Sequence, residues 1–342
     1  MAKQGMAGLV RAPRPSSRRQ IVFVRTDRLG ETLLNLPAIR ALRQAYPDAH
    51  LTLILHPSLQ ELFVGHPDVD EVIPAPVSSG SWWRDAWRLS RLWRRWHPDV
   101  IVISNPKKAY HLGAWLAGIP CRVGWNRKGG WWLTHRLEDR KRLGERHEVE
   151  YNLDLVQTLG IPEAPPATPW LPVGDQEEQR ISQLLGQWGV PASSQLLAVH
   201  PWTSNPRKQW PVDQFRALIQ RLTQTGAIIV VIGGSEEQGQ AAALMEGRPG
   251  TGRVVNGVGQ CSLRELAALL KRMRVLISND SGPMHLAAAV KTKTVALFGA
   301  SDPAAGPRRW GPYGEDHVVI WKPSMDAITV EEVFAAVQHQ LR

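Results

Sequence analysis

A chain of 342 residues with 43% hydrophobic and 21% charged residues is rich enough in apolar side chains to exclude a disordered protein and long enough for two domains, each with a core. Its formal net charge of +10 points to an anionic partner: nucleic acid, a membrane surface or a phosphorylated substrate. Two cysteines, Cys121 and Cys261, make neither a disulfide framework nor zinc-type spacing, so a reducing cytosolic setting is expected.

In chain order, residues 1–19 carry Lys3, Arg11, Arg14, Arg18 and Arg19 without an apolar stretch, which reads as a disordered basic tail and not as a targeting signal. From residue 21 the pattern alternates. Strands are expected at 21–24, 51–55, 71–73 and 100–103, and helices at 31–45, 57–64, 82–96, 110–116 and 151–159. A Pro-rich break, Pro162-Glu-Ala-Pro-Pro-Ala-Thr-Pro169, then reads as a linker. Beyond it, helices are expected at 177–188, 212–225, 235–245, 263–271, 283–290 and 331–339, with strands at 196–199, 228–232, 254–255, 275–277 and 294–298. The fold class is therefore α/β, with two parallel sheets and helices on both faces of each. An N-terminal Rossmann-like domain over 20–165 and a C-terminal one over 166–325 face each other across a crevice at the carboxyl ends of their strands. The last segment, 326–342, is expected to be a helix that packs back toward the N-terminal domain. The longest apolar runs, such as 228–232, have strand length and fall far short of a membrane span.

The 82–96 helix is rich in tryptophan and arginine. At helical spacing Leu89, Leu92, Trp93 and Trp96 share one side, while Arg84, Arg88, Arg91 and Arg95 cluster on another. Such a helix suits an interfacial position on anionic lipid, and equally a helix covering a sheet with its arginines in water. The segment 122–146 is basic again.

Three loops concentrate candidate chemistry. After the first strand, Arg25-Thr-Asp-Arg-Leu-Gly-Glu31 crowds Arg25, Asp27, Arg28 and Glu31 into a strand-to-helix turn that Gly30 keeps tight. After the strand at 196–199, Thr203, Ser204, Arg207 and Lys208 offer hydroxyls and cations to phosphate. After 228–232, Gly233-Gly-Ser-Glu-Glu237 lets a ligand approach the backbone, with a carboxylate for ribose hydroxyls. Most informative is Asn279-Asp-Ser-Gly-Pro-Met-His285. It follows a buried strand and opens a helix at Pro283, so free backbone N–H groups and the positive helix end can hold a diphosphate. Asp280 at the strand end can accept from sugar hydroxyls.

Other chemistries lack their signatures. There is no G-x-G-x-x-G, Walker A loop, H-E-x-x-H, C-x-x-C or G-x-S-x-G. Asp68-Val-Asp70 lies in a turn entering a short strand, so metal binding is not expected there. No helix-turn-helix, zinc finger or RRM pattern supports a nucleic-acid partner.

Together these segments resemble glycosyltransferase family 9, the ADP-heptose:lipopolysaccharide heptosyltransferases, over residues 21–320. The resemblance rests on the turn from Arg25 to Pro37, on Lys208-Gln-Trp-Pro211 and on Asn279-Asp-Ser-Gly-Pro-Met-His-Leu-Ala-Ala-Ala289. Phe298-Gly-Ala-Ser-Asp-Pro303 and Trp310-Gly-Pro-Tyr-Gly314 add to it. It implies a GT-B fold whose C-terminal domain holds the nucleotide sugar and whose N-terminal domain holds the acceptor. It further implies an inverting, metal-independent transfer without a cofactor, the substrate being a nucleotide sugar such as ADP-heptose. The implied acceptor is an anionic lipopolysaccharide-core glycolipid at the inner face of the cytoplasmic membrane, where the 82–96 region would meet the surface.

By the same resemblance, Asp280 would hold donor-sugar hydroxyls, and Ser281 and Gly282 the diphosphate, with His285 near the phosphates. Lys208, with Thr203 and Ser204, would neutralise the departing diphosphate, and Glu236 or Glu237 would take the ribose. Arg25, Arg28 and Arg122 are expected on the acceptor side. The family's base is an aspartate directly after the turn glycine; this chain has Glu31 there, with Asp27 as the alternative. Rival readings are a GT-B enzyme with another donor, a sugar-nucleotide epimerase, or a non-catalytic protein that binds anionic ligands.

Overall fold

A computed structural model describes residues 18–162, 167–245 and 253–342. Most of the basic tail and the centre of the Pro-rich break therefore lie outside the described residues. The N-terminal unit carries strands β1 (Gln20–Arg25), β2 (His50–Leu55), β3 (Glu71–Pro74), β4 (Val100–Ile103), β5 (Cys121–Trp125) and β6 (His135–Leu137). Its helices are α1 (Leu29–Leu33), α2 (Leu36–Ala45), α3 (Gln60–Phe63), α4 (Trp82–Trp96), α5 (Lys108–Leu116) and α6 (Glu148–Gln157). The C-terminal unit carries α7 (Asp175–Gln187), β7 (Leu196–His200), α8 (Val212–Thr223), β8 (Ile228–Val231), α9 (Gln238–Met245), β9 (Val254–Asn256) and α10 (Leu263–Arg272). It continues with β10 (Val275–Asn279), α11 (Gly282–Ala289), β11 (Lys293–Gly299), α12 (Pro307–Trp310), β12 (His317–Lys322) and α13 (Val330–Leu341).

Each unit holds a six-stranded parallel sheet, ordered β3-β2-β1-β4-β5-β6 and β12-β11-β10-β7-β8-β9. The two orders are the same Rossmann winding. Strand order reverses between β1 and β4 and again between β7 and β10, and loops leaving the carboxyl ends at such switch points form the ligand crevice. The central strands β1, β4, β8 and β10 are buried on both faces, which is why they read as unbroken Val/Ile/Leu runs. This is the expected GT-B arrangement.

The expected 31–45 helix is broken in two. Pro37 has no N–H to continue the ladder, and the buried Asn35 side chain substitutes for it. Its Nδ2 donates to the Glu31 carbonyl (2.6 Å), and its Oδ1 accepts from Ser104 Oγ (2.6 Å). The break isolates α1 as a short helix seated on a polar anchor at the end of β4. Strands β5, β6 and β12 were not expected; β5 and β6 are short and interrupted by Arg, Gly or His, while the Val318-Val-Ile-Trp321 run of the edge strand β12 was overlooked.

The closing helix corrects another expectation. α13 packs on α8 and on the C-terminal sheet, and not toward the N-terminal unit: Val333 and Val337 enter the core built from Leu197, Val199 and Val295, and Lys293 Nζ donates to the Gln340 carbonyl (2.9 Å). The sheet face it covers is apolar and would otherwise meet water.

The units are joined by other contacts. One continuous core runs from Phe23 and Leu36 to Leu276 and Leu286. A buried charge cluster adds to it: Glu148, in the N-terminal unit, meets Arg309 of the C-terminal unit (3.0 Å) and Lys141 (2.5 Å), with Arg25 at 3.7 Å. Burial alone would raise the Glu148 carboxyl, but Lys141, Arg25 and Arg309 hold it below the ordinary value.

Candidate active site

On the C-terminal side, the site is organised by Asn279, the last residue of β10. Its buried side chain accepts from the Trp210 N–H (3.0 Å) and donates to the Pro201 carbonyl (2.8 Å), which ties both ends of the 201–210 loop to β10. Ser281 precedes α11 but does not cap it. Its Oγ is held by His200 Nδ1 (3.0 Å) and Ser278 Oγ (3.0 Å). With that side chain turned inward and Pro283 lacking a donor, the amides of Ser281 and Gly282 are the helix-start groups open to an anion.

Asp280 sits beside them, ion-paired with Lys208 Nζ. Burial raises the Asp280 carboxyl, Lys208 opposes that rise, and the nearby Glu31 charge adds to it. Two histidines flank the amides. Burial lowers His200 to about 4 and His285 to about 3, so both are neutral at physiological pH. His285 Nδ1 has no hydrogen-bond partner among the described residues.

Thr203, Ser204, Lys208, Glu236, Asp280, Ser281, Gly282 and His285 line one cavity of about 530 Å³ between the units, and Arg28 and Glu31 line it from the other side. Glu237 lines it too, but its carboxylate is occupied by the Gly234 N–H (2.8 Å), so it holds the turn. Glu236 is exposed.

Across the cleft, α1 abuts α11. A Cβ on Gly282 would lie 3.2 Å from Leu29 Cβ, and one on Gly30 would lie 2.5 Å from the His285 ring. The approach explains the turn glycine: any side chain at residue 30 would wedge the units apart. Gly30→Ala is therefore expected to lower stability by about 1–3 kcal/mol, read from the denaturation midpoint, and to cut turnover through displacement of α1.

Glu31 lines both the interunit cleft and an adjoining cavity of about 660 Å³ that also meets Asp27 and His56. Its carboxylate has no hydrogen bond or ion pair among the described residues. Asp27, in contrast, is held by Arg25 Nε (3.3 Å) and by Asn105 Nδ2 (2.9 Å). Arg28 is exposed and donates to Ser204 Oγ across the cleft (2.9 Å).

Two expected acceptor residues do not reach the cleft. Arg25 is 4% exposed, its guanidinium spent on Asp27, Ser104 and Glu148, so it positions Asp27. Arg122 stands near the amino end of β5, away from the crevice, and donates to the carbonyls of Ile119 and Trp132. Asp68 and Asp70 face arginines: Asp70 pairs with Arg43 and Arg18, and Asp68 lies 3.9 Å from Arg40.

Sequence reasoning missed the basic residues that do line the N-terminal unit's large cavity. Lys107, Lys108, Lys128 and Arg88, with Thr26 and Tyr110, surround about 680 Å³ beside the β1/β4 switch point. Burial lowers the Lys107 ammonium, which Asp27 partly offsets, and its Nζ donates to Thr26 Oγ1 (2.8 Å). The signal was present: Asn105-Pro-Lys-Lys108 directly follows a wholly buried strand.

A sequence profile of glycosyltransferase family 9 (heptosyltransferase) matches residues 101–335. Lipopolysaccharide heptosyltransferase 3 of Escherichia coli is 24% identical over 340 residues, covering 91% of this chain and 95% of the relative. Among solved structures, a family 9 glycosyl transferase from Veillonella parvula superposes with a TM-score of 0.83 at 21% identity, covering 94% of this chain and 97% of the other. The E. coli ADP-heptose lipopolysaccharide heptosyltransferase II gives 0.78 at 21% identity, covering 94% and 98%.

Proposed function

The chain belongs to glycosyltransferase family 9, and from that premise we propose that it is an inverting enzyme that passes heptose from ADP-heptose to an anionic lipopolysaccharide-core-type glycolipid. The donor and acceptor classes are those named for its relatives. The observation that carries the reading is the position of Glu31. Its unpaired carboxylate borders both the cleft that holds the α11 amides and the adjoining cavity that meets Asp27 and His56.

In the proposed step an acceptor hydroxyl, held on the N-terminal side by Lys107, Lys108 and Lys128, attacks the anomeric carbon. Glu31 takes the hydroxyl proton as the new C–O bond forms. The bond from the anomeric carbon to the diphosphate breaks on the opposite face, and ADP leaves with its electron pair. The amides of Ser281 and Gly282, the positive end of α11 and Lys208 stabilise the charge that develops there. Asp280 orients the donor through its hydroxyls, and the neutral His285 offers an uncharged contact beside the phosphates. Asp27 is the weaker candidate for base, because its two partners occupy the carboxylate and restrict its approach.

A thermal-shift panel tests the donor. ADP-heptose and ADP should raise the unfolding midpoint, by the equivalent of about 2.7 kcal/mol at 100-fold excess over the dissociation constant, while UDP-sugars should shift it far less. A larger shift with a UDP-sugar would replace the donor in this reading. Free sugar released from the donor without an acceptor would favour an epimerase or hydrolase. Loss of transfer upon chelation would end the metal-independent mechanism.

A further inference from the structure

We infer that the tryptophan- and arginine-rich outer face of α4, extended by Trp131, docks the N-terminal unit on an anionic lipid bilayer. The helix has two faces with different work. Ala86, Leu89, Trp93 and Trp96 are buried against α5 and the sheet, so the sheet-covering reading accounts for them. It does not account for Trp83 at 55% and Trp87 at 56% exposure, one turn apart on the outer face, or for Trp131 at 67%. Trp131 joins them through a line of rings, 5.1 Å from Trp132, which lies 6.5 Å from Trp82. Large exposed apolar side chains in one patch mark an interaction surface.

The cations around the patch select the occupant. α4 carries five arginines against one aspartate. Arg84 lies over the Trp83 ring (5.1 Å) and Arg91 over Trp87 (4.8 Å), while Lys108 lies over Trp82 (5.6 Å). Indole rings favour the headgroup level of a bilayer, and arginine stems reach along them to lipid phosphates. Single-stranded nucleic acid needs open ring faces within a groove; here the guanidiniums cover the rings and the helix face is convex. Among the described residues no helix is long and apolar enough to cross a membrane, so the contact would be interfacial.

The patch also borders the basic cavity: Trp82, Val77 and Arg88 belong to its wall, and Val77 is almost fully exposed. A lipid whose phosphorylated head enters that cavity would leave its chains beside the same tryptophans. This last step rests on the acceptor reading given above; the docking itself does not.

Co-sedimentation of the full chain with vesicles that contain no glycolipid separates the two. Binding to phosphatidylcholine vesicles containing phosphatidylglycerol should exceed binding to phosphatidylcholine alone and fall as salt rises. Each arginine near the surface should contribute about fivefold to partition, so Arg84→Glu with Arg91→Glu should abolish the anionic preference. Trp83→Ala, Trp87→Ala and Trp131→Ala together should lower partition about tenfold or more, with the ADP-induced thermal shift unchanged because none of the three lines the donor cleft. Equal binding to both vesicle types, or a triple variant that binds like the parent, would overturn the inference. So would a triple variant whose only change is a smaller sedimentation mass, which would make the patch a self-association face, or binding to single-stranded RNA that the triple variant alone loses. Failure here would leave the glycolipid transfer itself to be judged by the transfer assay.

Discussion

Glu31→Gln is expected to lower turnover by about 10²–10⁴ while leaving donor affinity within a small factor, the signature of a lost general base. The substitution keeps the shape of the side chain, so neither the Asn35 anchor beneath α1 nor the contact of Gly30 with His285 is disturbed. What it removes is the proton acceptor. The measurement is single-turnover transfer across pH, with donor binding followed separately. At equal donor occupancy the variant should be slower than the parent throughout, because the amide cannot take the hydroxyl proton. Glu31→Asp restores the family's usual acid but retracts it by one bond. An offset of about 1 Å can cost on the order of 10²-fold, so an intermediate rate is expected if the acceptor is seated for the longer side chain. Near-normal turnover in Glu31→Gln would sink this assignment and return the role to Asp27. That test needs its own control, because Asp27→Asn also loosens Arg25 and, through it, the Glu148 cluster that joins the units.

The difference between these two carboxylates shows what the sequence could and could not convey. Both lie in one seven-residue turn, and either could serve as a base on residue type alone. They are separated by their partners: Arg25, two residues earlier, and Asn105 from the distant end of β4 occupy Asp27, and nothing described occupies Glu31. Strand alternation and the 279–285 turn were legible because buried parallel strands are continuous apolar runs and because turn and helix-start chemistry is local. Arg25 was misjudged for the opposite reason. An arginine in a polar turn resembles a ligand until a buried glutamate more than a hundred residues away claims it. α13 was likewise misplaced, since an amphipathic helix does not say which apolar sheet face will need covering. The lysines at 107, 108 and 128 were overlooked because they converge only when the β4 and β5 loops fold over the same cavity.

Lys208→Ala should carry the second large effect, weakening donor affinity by about 10–100-fold and turnover by about 10²–10³, because one cation serves both bound diphosphate and the charge that forms when it departs. The variant also exposes a linked cost. Asp280 is buried, and Lys208 is the charge that offsets its desolvation, with Glu31 acting against it. Without Lys208 the folded-state carboxyl rises further above its unfolded value. The unfolded chain then gives up its proton at lower pH than the folded one, so stability falls as pH climbs from the ordinary carboxylate range toward the raised value. The stability deficit of Lys208→Ala should therefore be small in acid and reach about 2–3 kcal/mol near neutrality, less than for a fully enclosed pair because the lysine retains solvent contact. Adding Asp280→Asn removes the buried charge and should recover most of that stability by chemical denaturation. It should not recover donor affinity, since both the cation and the carboxylate for sugar hydroxyls are then gone. A double variant that regained donor binding along with stability would mean that Lys208 acts only to hold Asp280 in place, and the diphosphate would have to rely on the α11 amides alone.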